Sequence, residues 1–119
     1  MTGTGNKTPS VLAFPGRAPS QTGFDRLELN RILDLYGRMV AAGQWRDYAM
    51  DFEREAAVFS AFRRSAERPE IRIEKRPALH TRQGMWALFG EAGQVLKRGH
   101  ELPGILAPLE RRLLKIVED

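Results

Sequence analysis

From Phe24 onward, apolar residues recur every three or four positions. Leu29, Ile32, Leu33, Tyr36, Met39 and Val40 share one side, with Arg26, Asn30, Arg31, Asp34 and Arg38 on the other. That spacing predicts an amphipathic helix. Asp25 marks its start as a capping residue, and Glu28 three positions on completes a capping box. Phe24 before the cap and Leu29 at the fourth helical position predict a hydrophobic staple. Gly43 ends the pattern. Gly37 within it costs about 1 kcal/mol against alanine, a cost that close packing would offset.

The period then shortens to two. In DYAMDF (47–52), Tyr48, Met50 and Phe52 alternate with Asp47, Ala49 and Asp51, which predicts a half-buried strand. AVFSAFR (57–63) is apolar on both parities, as an interior strand is. EIRIEKR (70–76) predicts a third strand with Ile71 and Ile73 inward and Arg72, Glu74 and Arg76 outward. PALHTRQG reads as a loop. MWALFG and QVLKR predict a hairpin across EAG, with Gly93 supplying the turn. Short connections make the sheet an antiparallel meander of four to five strands. Helical spacing returns through Leu102, Ile105, Leu106, Leu109, Leu113 and Ile116. Pro103 suits a first turn, whereas Pro108 predicts a kink or a split into two short helices. The expected fold is α+β in two layers: helix, meander, helix, as a single domain over residues 24–119. Residues 1–23, rich in Gly, Pro, Ser and Thr and without periodicity, are expected to form a disordered arm.

Composition narrows the function classes. A chain of 119 residues bounds one domain. No apolar run approaches the roughly 18 residues needed to span a bilayer. VLAF, broken by Pro15, is no signal-peptide core. Together with the absence of cysteine, this points to a cytoplasmic protein that does not engage membranes. It also excludes thiol nucleophiles and thiolate zinc sites.

Charge is unevenly spread. Residues 1–23 carry +2 from Lys7 and Arg17, and residues 24–62 carry −2 from five basic and seven acidic groups. Residues 63–98 hold nine basic against four acidic groups, a net +5, and residues 99–119 a net −1. The excess sits in the middle of the predicted sheet, where FRRSAERPEIRIEKR (62–76) holds six basic side chains. That localisation raises the question of an anion-binding face.

The segments ELNRILDLYGRMVAAGQWRDYAMD, AVFSAFRRSAERPEIRIEKRP, LKRGHEL and RRLLKIVE closely resemble the domain of unknown function 2794 family, an alphaproteobacterial group. The likeness covers about residues 24–118. It implies one intact domain after a variable N-terminal extension, in a bacterial cytosolic setting. The family brings no catalytic or ligand residue to carry over.

Catalytic chemistry finds little support in the residues. His80 and His100 fall in loops or at element ends, beside basic neighbours and without a second ligand at metal spacing. GTGNKT lacks the phosphate-loop spacing and no strand precedes it. Asp47 and Asp51 share a strand face, where Arg72 and Arg76 are expected close enough to form cross-strand charge pairs. The chain is therefore read as non-enzymatic, with no cofactor and no metal.

A nucleic-acid contact would use Arg63, Arg64, Arg72, Lys75, Arg76, Arg82, Lys97 and Arg98, since guanidinium forks match phosphate oxygens. Base stacking would need exposed aromatics, with Trp45, Trp86 and Phe89 as candidates. Trp86 and Phe89 lie on opposite parities, so at least one faces the core. No RRM, KH or helix-turn-helix signature is present. Glu67, Glu70 and Glu74 interleave the arginines, as on a solvated strand face. The alternative is a regulatory protein–protein module, either a homodimer or a hetero-complex, working through a sheet edge, a helix face or the arm.

Overall fold

Helix α1 (Arg26–Ala41) starts where the capping box places it. Asp25 Oδ1 accepts from the Glu28 N–H and Glu28 Oε1 accepts from the Asp25 N–H, each at 2.8 Å. These bonds satisfy two otherwise orphaned donors. Phe24 and Leu29 are both buried, as the staple requires. The helix buries Leu29, Ile32, Leu35 and Met39, with Leu33 and Tyr36 half-buried. Leu35 therefore belongs to the core and Val40 does not: Val40 lies on the exposed flank. Gly37 is exposed, and a Cβ built there would meet nothing within 4 Å. Close packing thus does not explain this glycine.

The computed structural model describes residues 20–64 and 67–118. Residues 1–19 of the expected arm, with Lys7, Arg17 and the GTGNKT segment, lie outside the described residues. Within residues 20–23, Thr22 is tied to the Glu53–Arg54 turn. Its N–H donates to Glu53 O at 2.7 Å and its Oγ1 to Arg54 O at 2.8 Å.

Five strands follow α1: β1 (Asp47–Phe52), β2 (Ala57–Phe62), β3 (Ile71–Lys75), β4 (Trp86–Phe89) and β5 (Val95–Gly99). They pair antiparallel in sequence order, and β2 is an interior strand as expected. The loop before β4 contains one 3-10 turn, Pro77–Leu79. Gly93 turns the β4–β5 hairpin at φ 85°. At Gly84, φ is 104° and a Cβ would come within 2.4 Å of Gly99 O, so the backbones approach there as only glycine allows.

Helix α2 (Leu102–Glu118) runs unbroken through Pro108 rather than splitting there. The carbonyl that loses its donor is that of Gly104, an exposed residue of the first turn that solvent can reach. Both helices lie on one sheet face and run in the same direction. Arg38 of α1 pairs with Glu110 of α2 at 3.0 Å. The core comprises Phe59, Ile71, Ile73, Trp86 and Leu88 from the sheet, and Ile105, Leu106, Leu109 and Leu113 from α2, against the α1 stripe. No helix among the described residues is long and apolar enough to cross a membrane.

Candidate functional site

Strand register decides which candidate cations share a surface. On β3, Ile71 and Ile73 face the helices, so Arg72 and Glu74 face outward. Two cross-sheet rows form the uncovered face. One reads Ala49, Ser60, Arg72, Phe89, Val95; the other reads Asp51, Val58, Glu74, Ala87, Arg98. Asp47 and Phe62 form a third pair at one end.

Within this face Arg72 lies over the Phe89 ring, its Cζ 4.8 Å from the centroid. Arg98 stands in the neighbouring row and donates to Gly84 O at 3.4 Å. Among the described residues neither makes an ion pair. Arg76 is engaged by Glu74 at 3.2 Å and Glu55 at 3.9 Å, not by Asp47 or Asp51. Its hydrogen bond to Glu74, and then the charge of Glu74, raise its pKa above the ordinary arginine value. Asp51 stands two strands from Arg72 and Arg76, with β2 between, so the expected pairing of Asp51 with these arginines does not form.

The remaining candidates are dispersed. Arg63 pairs with Glu91 at 2.8 Å and Arg64 with Glu67 at 3.3 Å, both beyond the end of β2. Arg82 is exposed in the loop before β4. Lys97 lies across from Leu88, on the helix side of the sheet, and is exposed. Lys75 is on the helix side as well, with 12% of its side chain exposed. Its ammonium donates to Glu28 Oε1 at 2.7 Å and Gly23 O at 3.0 Å, and lies 5.8 Å from the Trp86 centroid. The period of two already put Lys75 on the Ile71 and Ile73 side; that signal was in the sequence. Lys75 ties β3 to the start of α1 and is no surface cation.

The outward face therefore carries Arg72, Arg76 and Arg98 against Asp47, Asp51 and Glu74, with no net positive charge. Nor are its aromatics those of a stacking platform. Trp45 and Trp86 are buried; Trp86 stacks on Phe24 at 6.1 Å and Trp45 on Tyr36 at 6.1 Å. Phe89 and Phe62 are the half-buried rings that remain outward. Phe62 shares the parity of Val58 and Ser60, which marks it outward from sequence.

A second buried clamp was invisible in the spacing. Glu70 Oε1 accepts from the Trp45 indole N–H at 2.6 Å, while Oε2 pairs with Arg112 at 2.8 Å. Arg112 also donates to Gln44 Oε1 at 2.9 Å. The start of β3, the α1–β1 turn and α2 are thereby locked together. His80 and His100 are exposed, and His80 Nδ1 lies 3.1 Å from Pro77 O. Among the described residues no group of three or more His, Asp or Glu side chains is placed to hold a metal ion.

The β5 edge combines open backbone with exposed apolar side chains. Among the described residues β5 pairs only with β4, so its outer row of backbone groups is open. Val95 is 51% and Leu96 47% exposed. A register irregularity at Leu88 and Phe89 makes Leu96 an extra residue. The bulge turns Leu96 toward the helices, where it lines a cavity of about 280 Å³ with Ile71, Leu88, Pro108 and Leu109. Two adjacent apolar residues followed by two adjacent cations, a break from period two, were the sequence signal for it. Lys97 and Arg98 follow without acidic partners among the described residues. The opposite edge, β1, carries Asp47 and Asp51 instead.

Fold and surfaces define a two-layer α+β domain of two helices on a five-stranded antiparallel meander. The chain belongs to the family described as protein of unknown function (DUF2794), whose match spans residues 22–106, from before α1 through the whole sheet into α2. No curated protein and no solved structure is found to match it.

Proposed function

We propose that the chain is a non-catalytic interaction module that engages a protein partner through the β5 edge. The observation that carries this reading is the exposed Val95–Leu96 pair on an open edge strand, continued by two cations lacking acidic partners. Exposed apolar area beside unpaired backbone is what a sheet edge offers to a partner, and isolated proteins usually guard against it. The test is co-purification of the tagged full chain from cells that express it. A Val95→Lys, Leu96→Lys double variant is expected to lose its protein partner, while Arg72→Glu and nuclease treatment leave it bound. Loss on nuclease treatment or in Arg72→Glu, with the β5 variant unaffected, contradicts the reading.

A polyanion contact at the outward sheet face is the second reading. It is favoured by Arg72 on Phe89 with Arg98 in the next row, neither ion-paired among the described residues. Such a contact would produce amide shifts at Arg72, Phe89 and Arg98 with short single-stranded nucleic acid, fading steeply as salt rises. The balanced charge of that face ranks it below the edge.

A further inference from the structure

We infer that the β5 surface accepts an extended acidic segment of its partner as a sixth strand, seating one apolar side chain in the cavity beside α2. This rests on the interaction-module reading and names its ligand class. Three independent features converge on it.

The first is backbone. Strand addition draws affinity from main-chain hydrogen bonds and specificity from pockets that receive alternate side chains. Strand β5 supplies the open row, five residues long. The second is shape. Because the bulge throws Leu96 to the helix side, the cavity adjoins β5 through Gln94 and Leu96 and is bounded by Pro108 and Leu109 of α2. Its lining is mainly apolar. The two carboxylates at its rim, Glu70 and Glu91, are already held by Arg112 and Arg63. An apolar side chain entering there meets no unmatched charge. The third is charge. Lys97 and Arg98 are consecutive, so one cation flanks the added strand on the helix side and the other on the outward side. An alternating segment with carboxylates on either side of its apolar anchor meets both. At the opposite edge Asp51 repels that same segment, which leaves β5 as the edge it selects.

The test is selection of random twelve-residue peptides displayed against the immobilised full chain, with counter-selection on a Leu96→Asp variant. Leu96 is half exposed, so the variant keeps its core. Enriched peptides are expected to alternate acidic with apolar residues and to shift the amides of residues 95–99. They should bind Leu96→Asp at least about tenfold more weakly, and Lys97→Glu, Arg98→Glu about three- to tenfold more weakly. Asp51→Lys on the far edge should leave their affinity unchanged. No enrichment over bare support, peptides of basic character, or indifference to both β5 variants overturns the inference. So does concentration-dependent self-association lost in Asp51→Lys, since strand β1 of a second copy is itself acidic and alternating and would then be the occupant. If peptide selection fails while β5 variants still lose the co-purifying partner, the module stands and only its extended acidic ligand falls. If both fail, the edge reading itself falls.

Discussion

Replacing Glu70 by leucine tests the clamp that fixes β3 against α2 and the α1–β1 turn. In the native chain one Glu70 oxygen takes the Trp45 indole N–H at 2.6 Å and the other takes Arg112 at 2.8 Å. Trp45 is 1% exposed, so its donor has no water to fall back on. Leaving such a donor unpaired costs about 1–3 kcal/mol. Arg112 is one-third exposed and rehydrates, so losing its partner adds only about 0.5–1 kcal/mol. Glu70→Leu is thus expected to destabilise by about 1.5–4 kcal/mol. Glu70→Gln keeps an oxygen for the indole and loses the ion pair, costing about 0.5–1.5 kcal/mol. For a domain of this size the melting temperature should fall by roughly 8–25 °C for leucine and 3–10 °C for glutamine. Circular dichroism melts of both variants provide the comparison, with tryptophan fluorescence from Trp45 and Trp86 as an independent probe. Equal losses for the two substitutions, or a loss below about 0.5 kcal/mol for leucine, would refute the argument that a desolvated indole donor sets the cost.

Other expectations follow the same physics. Lys75→Met should cost about 1–3 kcal/mol, because it strips Glu28 of a mostly buried partner, and it should leave any nucleic-acid titration unchanged. Gly37→Ala should stabilise by about 0.5–1 kcal/mol, whereas Gly84→Ala should destabilise by at least about 2 kcal/mol; urea midpoints read both. Tyr36 is pushed above the usual phenol value by burial first, then by the charge of Asp47 and by Tyr48. The neutral phenol is therefore the form the fold favours. Its contribution is full below about pH 10 and is lost as pH rises through the higher folded value. Absorbance titration at the phenolate band, wild type against Tyr36→Phe, should place the missing transition above that of a free tyrosine.

Local rules made most of the fold legible. The Asp25–Glu28 capping box gave the start of α1 to the residue, and parity gave the inward set Ile71 and Ile73. The same parity carries Lys75 to the helix side, whereas charge density alone groups it with surface arginines. Leu35 was legible too, three residues after Ile32 and four before Met39. Other features depended on partners far along the chain. Trp45 finds Glu70 twenty-five residues away, and Glu70 finds Arg112 across the domain, separations for which no spacing rule exists. Neutralisation of Arg76 by Glu55 likewise arises only once β2 lies beside β3. The candidate site was therefore legible as a set of cations but not as a surface. Register disperses that set over both sheet faces and leaves Val95 and Leu96 exposed on the β5 edge.

The most direct test of the β5 edge is site-specific photocrosslinking in living cells, with a benzophenone side chain placed at Val95 and, as control, at Ala49. The account predicts a discrete protein adduct from position 95 that survives nuclease and is absent from position 49. Adducts that nuclease removes, or that form equally from both positions, would contradict it.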